Sequence, residues 1–249
     1  NGGSDTNILV RFDVPNKRID LVSLPRDTLL HNEYRNNKLN FAYAKGGTEL
    51  LMEQIENLLG IPVDFYVTVN LKGFIALVDQ IDGVDFDIPI NMDYDDPYQD
   101  LHIHFTKGPR HLNGQEAMEV VRFRHNNDGT GYGTEDIGRI GTQQAFLKAV
   151  AKQLLQIGNV KNIPALVDIF YTYVKTDLTT GNLVWLGNEA LNIGTENIRF
   201  ATLPGDGSGY YNKQSVYALD AQATCDLVNE ALNPYNEALT LEDMDILVP

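Results

Sequence analysis

Strand-like and helix-like segments alternate along most of this chain, and this alternation restricts the fold more than any other feature of the sequence. Residues 63–69 have the pattern of a strand, residues 71–81 that of a helix, and residues 83–88 that of a second strand. Such a β-α-β unit with short connections predicts parallel pairing of its strands. Upstream, residues 7–12 and 18–24 alternate around a turn, which predicts a hairpin. We therefore expect an α/β fold: a central mixed β-sheet with helices on both faces.

The remaining elements follow from periodicity and from start and stop signals. Apolar residues recur at helical spacing in residues 48–59, 138–157, 163–175, 181–193 and 220–232. Further strands are expected at residues 101–105 and 198–203, and a short helix from about residue 114 to the arginine pair described below. Residues 89–100 are acidic and bounded by prolines, so we expect a surface loop there. We expect a single domain over residues 1–249, with residues 234–249 as a peripheral tail.

The charge balance argues against nucleic acid as a partner. Nineteen basic side chains face 34 acidic ones, which leaves a formal net charge of −15, and this charge repels phosphodiester backbones. Cys225 is the only cysteine, so the sequence allows no internal disulfide. It contains no run of about 18 apolar residues, so no membrane-spanning helix is expected within it.

Two arginines precede the long helix at residues 138–157. Arg122 and Arg124 are two residues apart, so in an extended segment both guanidiniums point to one side while Val121 and Phe123 pack on the other. Planar guanidinium groups bind phosphate oxygens in pairs. Phosphate or diphosphate is therefore the expected ligand.

The start of the long helix adds further polar groups. Arg139 and Gln143 are four residues apart and share a face near the amino end of the helix, where the helix dipole attracts phosphate, and Asp136 lies just before them. By themselves, these residues also fit a capped helix whose polar first turn faces water. The apolar residues beyond Gln143 fit either ordinary core or the lining of an apolar channel.

A second candidate region follows the second strand. Arg26 stands at the carboxyl end of that strand, where α/β sheets generally place their ligands. Alone, the Arg26-Asp27 pair is more often a solvated ion pair. Asp5 could bind magnesium, because a hard divalent ion takes one or two carboxylates together with substrate phosphates. An isolated terminal aspartate usually has no such role.

Four histidines suggest a metal site, but the sequence favours a simpler interpretation. They are His102, His104, His111 and His125. No cysteine accompanies them and their spacing matches none of the familiar zinc patterns. Polar surface or hydrogen-bonded histidines are therefore the preferred interpretation.

Together, the motifs resemble those of a known family. In order, they are Ser4-Asp5-Thr6, Leu24-Pro25-Arg26-Asp27-Thr28, Lys38-Leu39-Asn40-Phe41-Ala42-Tyr43-Ala44, Val121-Arg122-Phe123-Arg124-His125, Asp136-Ile137-Gly138-Arg139 with Gln143-Gln144, and Leu203-Pro204-Gly205. This set is similar to the LytR-CpsA-Psr family of bacterial cell-envelope proteins. The resemblance covers most of residues 4–205, and the joint pattern is far more specific than any single motif.

The resemblance implies a function and a set of site residues. It implies an extracytoplasmic, membrane-anchored phosphotransferase at the bacterial cell wall that moves teichoic acid or capsular glycan from a polyprenyl-diphosphate carrier to peptidoglycan, with Mg²⁺ or Mn²⁺ as cofactor. The lipid tail would lie in an apolar cavity between sheet and helices. By matching motifs, the residues that would hold the diphosphate are Arg26, Arg122, Arg124, Arg139 and Gln143. Asp5 would bind the metal, and Arg122, Arg124 and Asp136 would act nearest the reaction.

One departure from the family pattern accompanies this resemblance. A second metal-binding aspartate would stand on a strand upstream of Ser4, so either the natural chain continues upstream, through that strand, to a membrane anchor, which we favour, or this protein binds metal poorly. Other functions fit the same residues. One is a non-catalytic polyprenyl-phosphate-binding or regulatory domain of the transcriptional-attenuator type, and another is a diphosphatase that uses water as the acceptor.

Overall fold

The computed structural model describes residues 4–34, 36–133, 135–154 and 170–248, and only the backbone of residues 135–137. The chain divides into two compact units, each described by itself. The first comprises residues 1–66, 185–193 and 197–249, and the second comprises residues 67–184 and 194–196. The single domain expected over residues 1–249 stays a prediction.

The first unit is built around a three-stranded sheet in the order β1-β2-β9. The elements of this unit are β1 (Asn7–Asp13), β2 (Arg18–Leu24), α1 (Leu39–Leu59), β9 (Ile198–Thr202), β10 (Gly205–Tyr211), β11 (Gln214–Leu219) and α6 (Ala221–Ala231). β1 pairs antiparallel with β2, as the hairpin pattern predicts, and β9 pairs parallel with β2. The sheet is therefore mixed, and the predicted α/β class is confirmed.

The second unit consists of three two-stranded antiparallel sheets, of which β5-β6 is a hairpin, and their helices. Its elements are β3 (Val67–Val69), α2 (Leu71–Gln80), β4 (Val84–Ile88), β5 (Met92–Asp96), β6 (Leu101–Phe105), β7 (Gly108–Leu112), α3 (Gly114–Arg122), α4 (Glu135–Leu154) and β8 (Val174–Thr176). The pairs β3-β8, β4-β7 and β5-β6 are all antiparallel. A further helix, α5, spans Thr180–Ile193.

Several sequence expectations need correction. The β-α-β unit exists as β3, α2 and β4, but its strands do not pair in parallel, because each pairs antiparallel with another strand. Part of the expected loop at residues 89–100 is β5, whose Asp93 and Asp95 side chains lie on the exposed face. Most of the helix expected at residues 163–175 lies outside the described residues. Its last two residues, 174 and 175, belong to β8. The helix predicted at residues 48–59 starts earlier, at Leu39, and continues across a kink where Gly47 has φ +68°.

Each unit has its own apolar core. In the first, Val22 and Leu24 of β2 pack with Leu58 of α1 and Val228 of α6. Residues 234–249, expected to be peripheral, contribute to this core through Met244, which is 9% exposed. In the second, the core contains Val84, Ile88, Met92, Ile103, Phe105, Leu112, Val120, Phe123 and Phe146. No helix within the described parts of the chain is long and apolar enough to cross a membrane.

Candidate functional site

The first group of candidate residues lies at the carboxyl end of β2, as the sequence predicts for Arg26. A tight turn fixes the segment, because the buried Thr28 donates its hydroxyl to the Pro25 carbonyl at 2.7 Å. The Arg26 carbonyl accepts the backbone N–H of Asn40 at 2.9 Å, and the Thr28 carbonyl accepts that of Leu39 at 3.0 Å. These bonds place Arg26 and Asp27 beside the amino end of α1 and occupy the first N–H groups of the helix, so anion binding there depends on the side chains.

Asp5, Arg26, Asp27 and Lys38 form a chain of ion pairs, here called the Asp5–Arg26 network. Arg26 Nη1 donates to Asp5 Oδ1 at 2.8 Å, and Arg26 Nε lies 3.4 Å from Asp27 Oδ1. Lys38 Nζ donates to Asp27 Oδ2 at 3.0 Å. Two cations thus face two carboxylates, so the network is balanced in charge.

Three buried polar atoms in this region have no hydrogen-bond partner among the described residues: Ser4 Oγ, Asn7 Nδ2 and Arg26 Nε. Asn7 begins β1 and pairs with Leu24 at the end of β2, two residues before Arg26. Buried polar groups in native proteins almost always have partners, and the exceptions call for a functional explanation. Ser4 Oγ and Asn7 Nδ2 therefore keep donors without a described acceptor, whereas Arg26 Nε faces Asp27 Oδ1 at 3.4 Å.

Asp5 fits a divalent metal ion only as one ligand among several. Its side chain is 74% exposed and already bound to a guanidinium. Within the described parts of the chain, Asp5 belongs to no group of three or more ligating side chains. A magnesium ion, however, commonly takes one or two carboxylates and completes its shell with phosphate oxygens and water. Asp5 can supply one such oxygen.

The second group of candidate residues lies at the end of α3. Asn113 begins this helix with a capping box, in which its side chain accepts the Glu116 N–H at 2.9 Å and Glu116 accepts the Asn113 N–H at 3.1 Å. The helix includes Arg122 as its last residue. The expected extended segment is therefore wrong at Arg122, because the capped helix continues one residue further than the alternating pattern suggests.

Phe123, Arg122 and Arg124 form the arginine segment. Phe123 leaves the helix with φ −59° and ψ 135° and is 1% exposed, with its ring 5.6 Å from that of Tyr132. Arg122 Nη2 donates to Gln99 Oε1 at 2.8 Å, and its Nη1 lies 3.8 Å from Met118 Sδ. Arg124 is exposed and has no hydrogen-bond or ion-pair partner among the described residues. Neither arginine is neutralised by a described carboxylate.

Helix α4 holds the other predicted anion ligands. Arg139 is only 7% exposed, five residues into the helix, and has a partner. One turn later, Gln143 donates its side-chain N–H to the Val121 carbonyl at 3.1 Å, which joins α4 to the end of α3. Gly138 leaves room for the Tyr132 ring, since a Cβ there would lie 2.4 Å from that ring. The side chain of Asp136 is outside the described residues.

The structure thus places the predicted residues in two groups. It brings Arg122 and Arg124 together with Gln143 in the second unit, and Asp5 together with Arg26 in the first. Convergence of the two groups on one ligand stays a prediction. Sequence reasoning missed Gln99, which lies 23 residues before its partner in a turn with no distinguishing pattern. It also gave no role to Lys38, although this residue stands in one of the quoted motifs.

Comparison with protein families identifies one match over most of the chain. Residues 1–233 match the model of the LytR_cpsA_psr family. Two relatives carry the name polyisoprenyl-teichoic acid–peptidoglycan teichoic acid transferase. TagV of Bacillus subtilis (strain 168) is 32% identical over 231 residues, covering 90% of this chain and 57% of TagV. TagU of Bacillus cereus is also 32% identical over 231 residues, covering 92% of this chain and 72% of TagU.

A third relative has a name of another kind. The regulatory protein MsrR of Staphylococcus aureus is 29% identical over 204 residues, covering 81% of this chain and 59% of MsrR. Among solved structures, the crystal structure of B. subtilis TagV superposes with a TM-score of 0.77 and 28% identity, covering 99% of this chain and 91% of that structure. The present chain therefore spans little more than half the length of two of these three relatives.

Proposed function

The chain belongs to the LytR-CpsA-Psr family, and from this premise we propose that it is a glycopolymer–peptidoglycan phosphotransferase. It moves teichoic acid or capsular polysaccharide from a polyprenyl-diphosphate carrier to peptidoglycan and leaves a phosphodiester. The names of TagV and TagU support this class of reaction. The single observation that carries the proposal is the arginine segment, because Arg122 and Arg124 have no described carboxylate to neutralise them.

The protein accelerates this reaction by positioning the hydroxyl and the diphosphate and by neutralising the negative charge of the phosphate oxygens. A hydroxyl oxygen of peptidoglycan attacks the phosphorus atom on the glycan side, and the bond from that phosphorus to the bridging oxygen breaks. Polyprenyl phosphate leaves with the electron pair, and the hydroxyl proton passes to a base. Arg122 and Arg124 bind the non-bridging oxygens, where negative charge builds up in the transition state.

The remaining residues support this arrangement. Gln143 holds the end of α3 in place through the Val121 carbonyl. Arg139 and the amino end of α4 add positive potential. In the first unit, Arg26 and Asp5 can bind an anion or a metal ion that replaces one partner in their ion pair. The polyprenyl chain occupies an apolar cavity between sheet and helices.

Magnesium or manganese is the proposed cofactor, with Asp5 as one ligand. When bound, such an ion neutralises charge on the diphosphate. The protein acts outside the cytoplasm, held by a membrane anchor at the cell wall.

The test is a reconstituted transfer reaction with a polyprenyl-diphosphate-linked glycan and peptidoglycan. We expect release of polyprenyl phosphate and attachment of glycan, both abolished by EDTA and restored by Mg²⁺. Equal release without peptidoglycan would mean that water is the acceptor and the protein is a diphosphatase. Bound lipid without any release would mean that it is a carrier or a regulatory domain, a class that the name of MsrR also suggests. Either result overturns the transferase.

A further inference from the structure

The β5-β6 hairpin carries two histidines and two aspartates on one face. In the antiparallel register Asp93 faces His104 and Asp95 faces His102. Residues two apart on a strand point to the same side, so all four side chains share the exposed face, while Met92, Leu101, Ile103 and Phe105 are buried on the opposite face. We call Asp93, Asp95, His102 and His104 the histidine face.

Three ligating atoms of the histidine face converge. Asp95 Oδ1 lies 2.5 Å from His102 Nδ1 and 3.3 Å from His104 Nε2. One ligand atom from each of these residues lies within 4.8 Å of the other two, and no other group of three ligating side chains occurs in the described parts of the chain. The spacing of the histidines in the sequence does not reveal this group, because Asp95 lies on β5 and both histidines lie on β6.

Neighbouring carboxylates set the ring orientations. Asp93 Oδ1 lies 2.8 Å from His104 Nδ1 and Asp95 Oδ1 lies 3.3 Å from His104 Nε2, so both ring nitrogens face a carboxylate, and a metal ion at Nε2 takes the place of the proton there while Asp93 keeps the proton on Nδ1. A carboxylate behind a histidine is the usual outer partner of a metal ligand, since it fixes the tautomer and raises the basicity of the ring. On His102 the two ring nitrogens exchange these positions. Nδ1 faces Asp95 and is the metal ligand, while Nε2 lies 3.7 Å from Asp100.

The hairpin is also held rigidly. The backbone N–H of Asp93 donates to the Asn126 side chain at 2.7 Å, and that of Asp95 donates to the Asn127 side chain at 2.6 Å. Asn127 returns a bond from its side chain to the Asp95 carbonyl at 3.1 Å. With its other face buried in the core of the second unit, β5 cannot easily move away from His102 and His104.

We propose that the histidine face is a binding site for a divalent transition-metal ion, with Zn²⁺ as the representative. His102 Nδ1, His104 Nε2 and one Asp95 oxygen are the ligands, and water fills the remaining position. Two imidazoles select this class of metal over Mg²⁺, which prefers oxygen ligands alone. The site is therefore chemically distinct from the proposed magnesium ligand Asp5.

Metal binding requires the three ligand atoms, which lie within 4.8 Å of one another, to rearrange around the ion. Zinc–ligand distances of about 2.0–2.2 Å in a tetrahedron place ligand atoms roughly 3.3 Å apart. The distance from Asp95 to His104 already has this value. The distance from Asp95 to His102 must widen by about 0.8 Å, as expected when a metal ion replaces a shared proton. Both side chains are about half exposed and free to make this change.

The same unit contains a matched control. His111 on β7 lies 2.7 Å from Asp85 on β4, also as an exposed cross-strand pair, but no second histidine completes a group of three ligands there. A lone His–Asp pair of this kind is expected to bind zinc weakly at best. Comparison of the β5-β6 hairpin with the β4-β7 pair distinguishes a group of three metal ligands from a single exposed His–Asp pair.

Isothermal titration of the tag-free protein with ZnCl₂ tests the proposal without any glycan substrate, so its outcome is independent of the proposed function. We expect one zinc ion per chain, not displaced by excess Mg²⁺. His102→Gln, His104→Gln and Asp95→Asn should each weaken binding about tenfold or more, and His111→Gln should leave it unchanged. Thermal unfolding of each variant without metal checks that the hairpin remains folded.

Two results would overturn the site. One is the absence of stoichiometric zinc binding by the natural sequence. The other is binding that survives the three substitutions, or that falls equally in His111→Gln. If a substituted hairpin unfolds, Co²⁺ titration of the natural sequence decides instead, because the visible absorption bands of bound cobalt differ between nitrogen-containing and all-oxygen ligand sets.

Discussion

The two groups of candidate residues hold their arginines in opposite ways. In the Asp5–Arg26 network, Arg26 contacts Asp5 at 2.8 Å and Asp27 at 3.4 Å, so its charge is balanced within the protein. In the arginine segment, Arg122 is held by an uncharged amide at 2.8 Å, and Arg124 has no described partner. An anion must compete with a carboxylate for Arg26, whereas it meets no such competitor at Arg122 and Arg124. The arginine segment is therefore the stronger anion site in the absence of metal.

The largest expected effect concerns the scaffold of the arginine segment. Phe123→Ala should lower the free energy of unfolding by about 3–5 kcal/mol, because the ring is 1% exposed and its loss leaves a cavity in the second core. Urea unfolding measures this change. Phe65→Ala is the control, since that ring is 48% exposed and its removal should cost about 0.5 kcal/mol or less. Equal losses in both variants would show that Phe123 does not anchor the segment.

The next effect concerns the arginines themselves. Arg122→Ala or Arg124→Ala should reduce turnover in the transfer assay about tenfold to a hundredfold, because each removes a charge-assisted contact of roughly 1.5–3 kcal/mol. Arg110→Ala is the matched control, since Arg110 is 48% exposed and paired with Glu116. Its turnover should stay close to that of the natural sequence. Unchanged rates for both segment variants would contradict their role in binding phosphate.

A smaller effect tests the competition at Arg26. Asp5→Asn should increase the affinity for inorganic pyrophosphate in EDTA by up to about fivefold, because an exposed ion pair of roughly 0.2–1 kcal/mol no longer opposes the anion. Calorimetric titration measures the affinity. Asp226→Asn removes the same charge from an exposed position of the first unit and serves as control. An equal increase in both variants would mean that net charge, and not the release of Arg26, is responsible.

The sequence predicts some parts of this site well and others poorly, for physical reasons. Local signals were sufficient for the hairpin of β1 and β2, for the start of α3 at Asn113 and for Arg26 at a strand end, since capping and turns depend on neighbours in sequence. The end of α3 was predicted too early. Residues 121–125 alternate like a strand, but the backbone N–H of Phe123 still donates to the Glu119 carbonyl as in a helix.

Contacts that join distant segments could not be predicted. The acidic pattern of β5 indicates a loop, and only its pairing with β6 shows that Asp95 meets His102. Likewise, the bond from Arg122 to Gln99 depends on how the tip of that hairpin folds back on α3. Family motifs gave the candidate residues, but the partners that determine whether an arginine is neutralised come from the three-dimensional structure alone.

The smallest effect tests the premise of the whole comparison, namely that a carboxylate at hydrogen-bond distance stabilises the charged form of its partner. His111 is suitable because its hydrogen bond to the Asp85 carboxylate, at 2.7 Å, raises the pKa of His111 above its ordinary value. The stabilisation is fully present below the pKa of the unfolded chain, near 6.5, and is lost as the pH rises through the higher folded pKa. Because His111 is 55% exposed, the contribution to stability stays below about 1 kcal/mol.

An NMR titration should therefore give a midpoint for His111 above 6.5, and Asp85→Asn should lower it. If the midpoint is the same with and without the carboxylate, ion pairing at such distances is too weak in this protein for the balanced charge around Arg26 to matter.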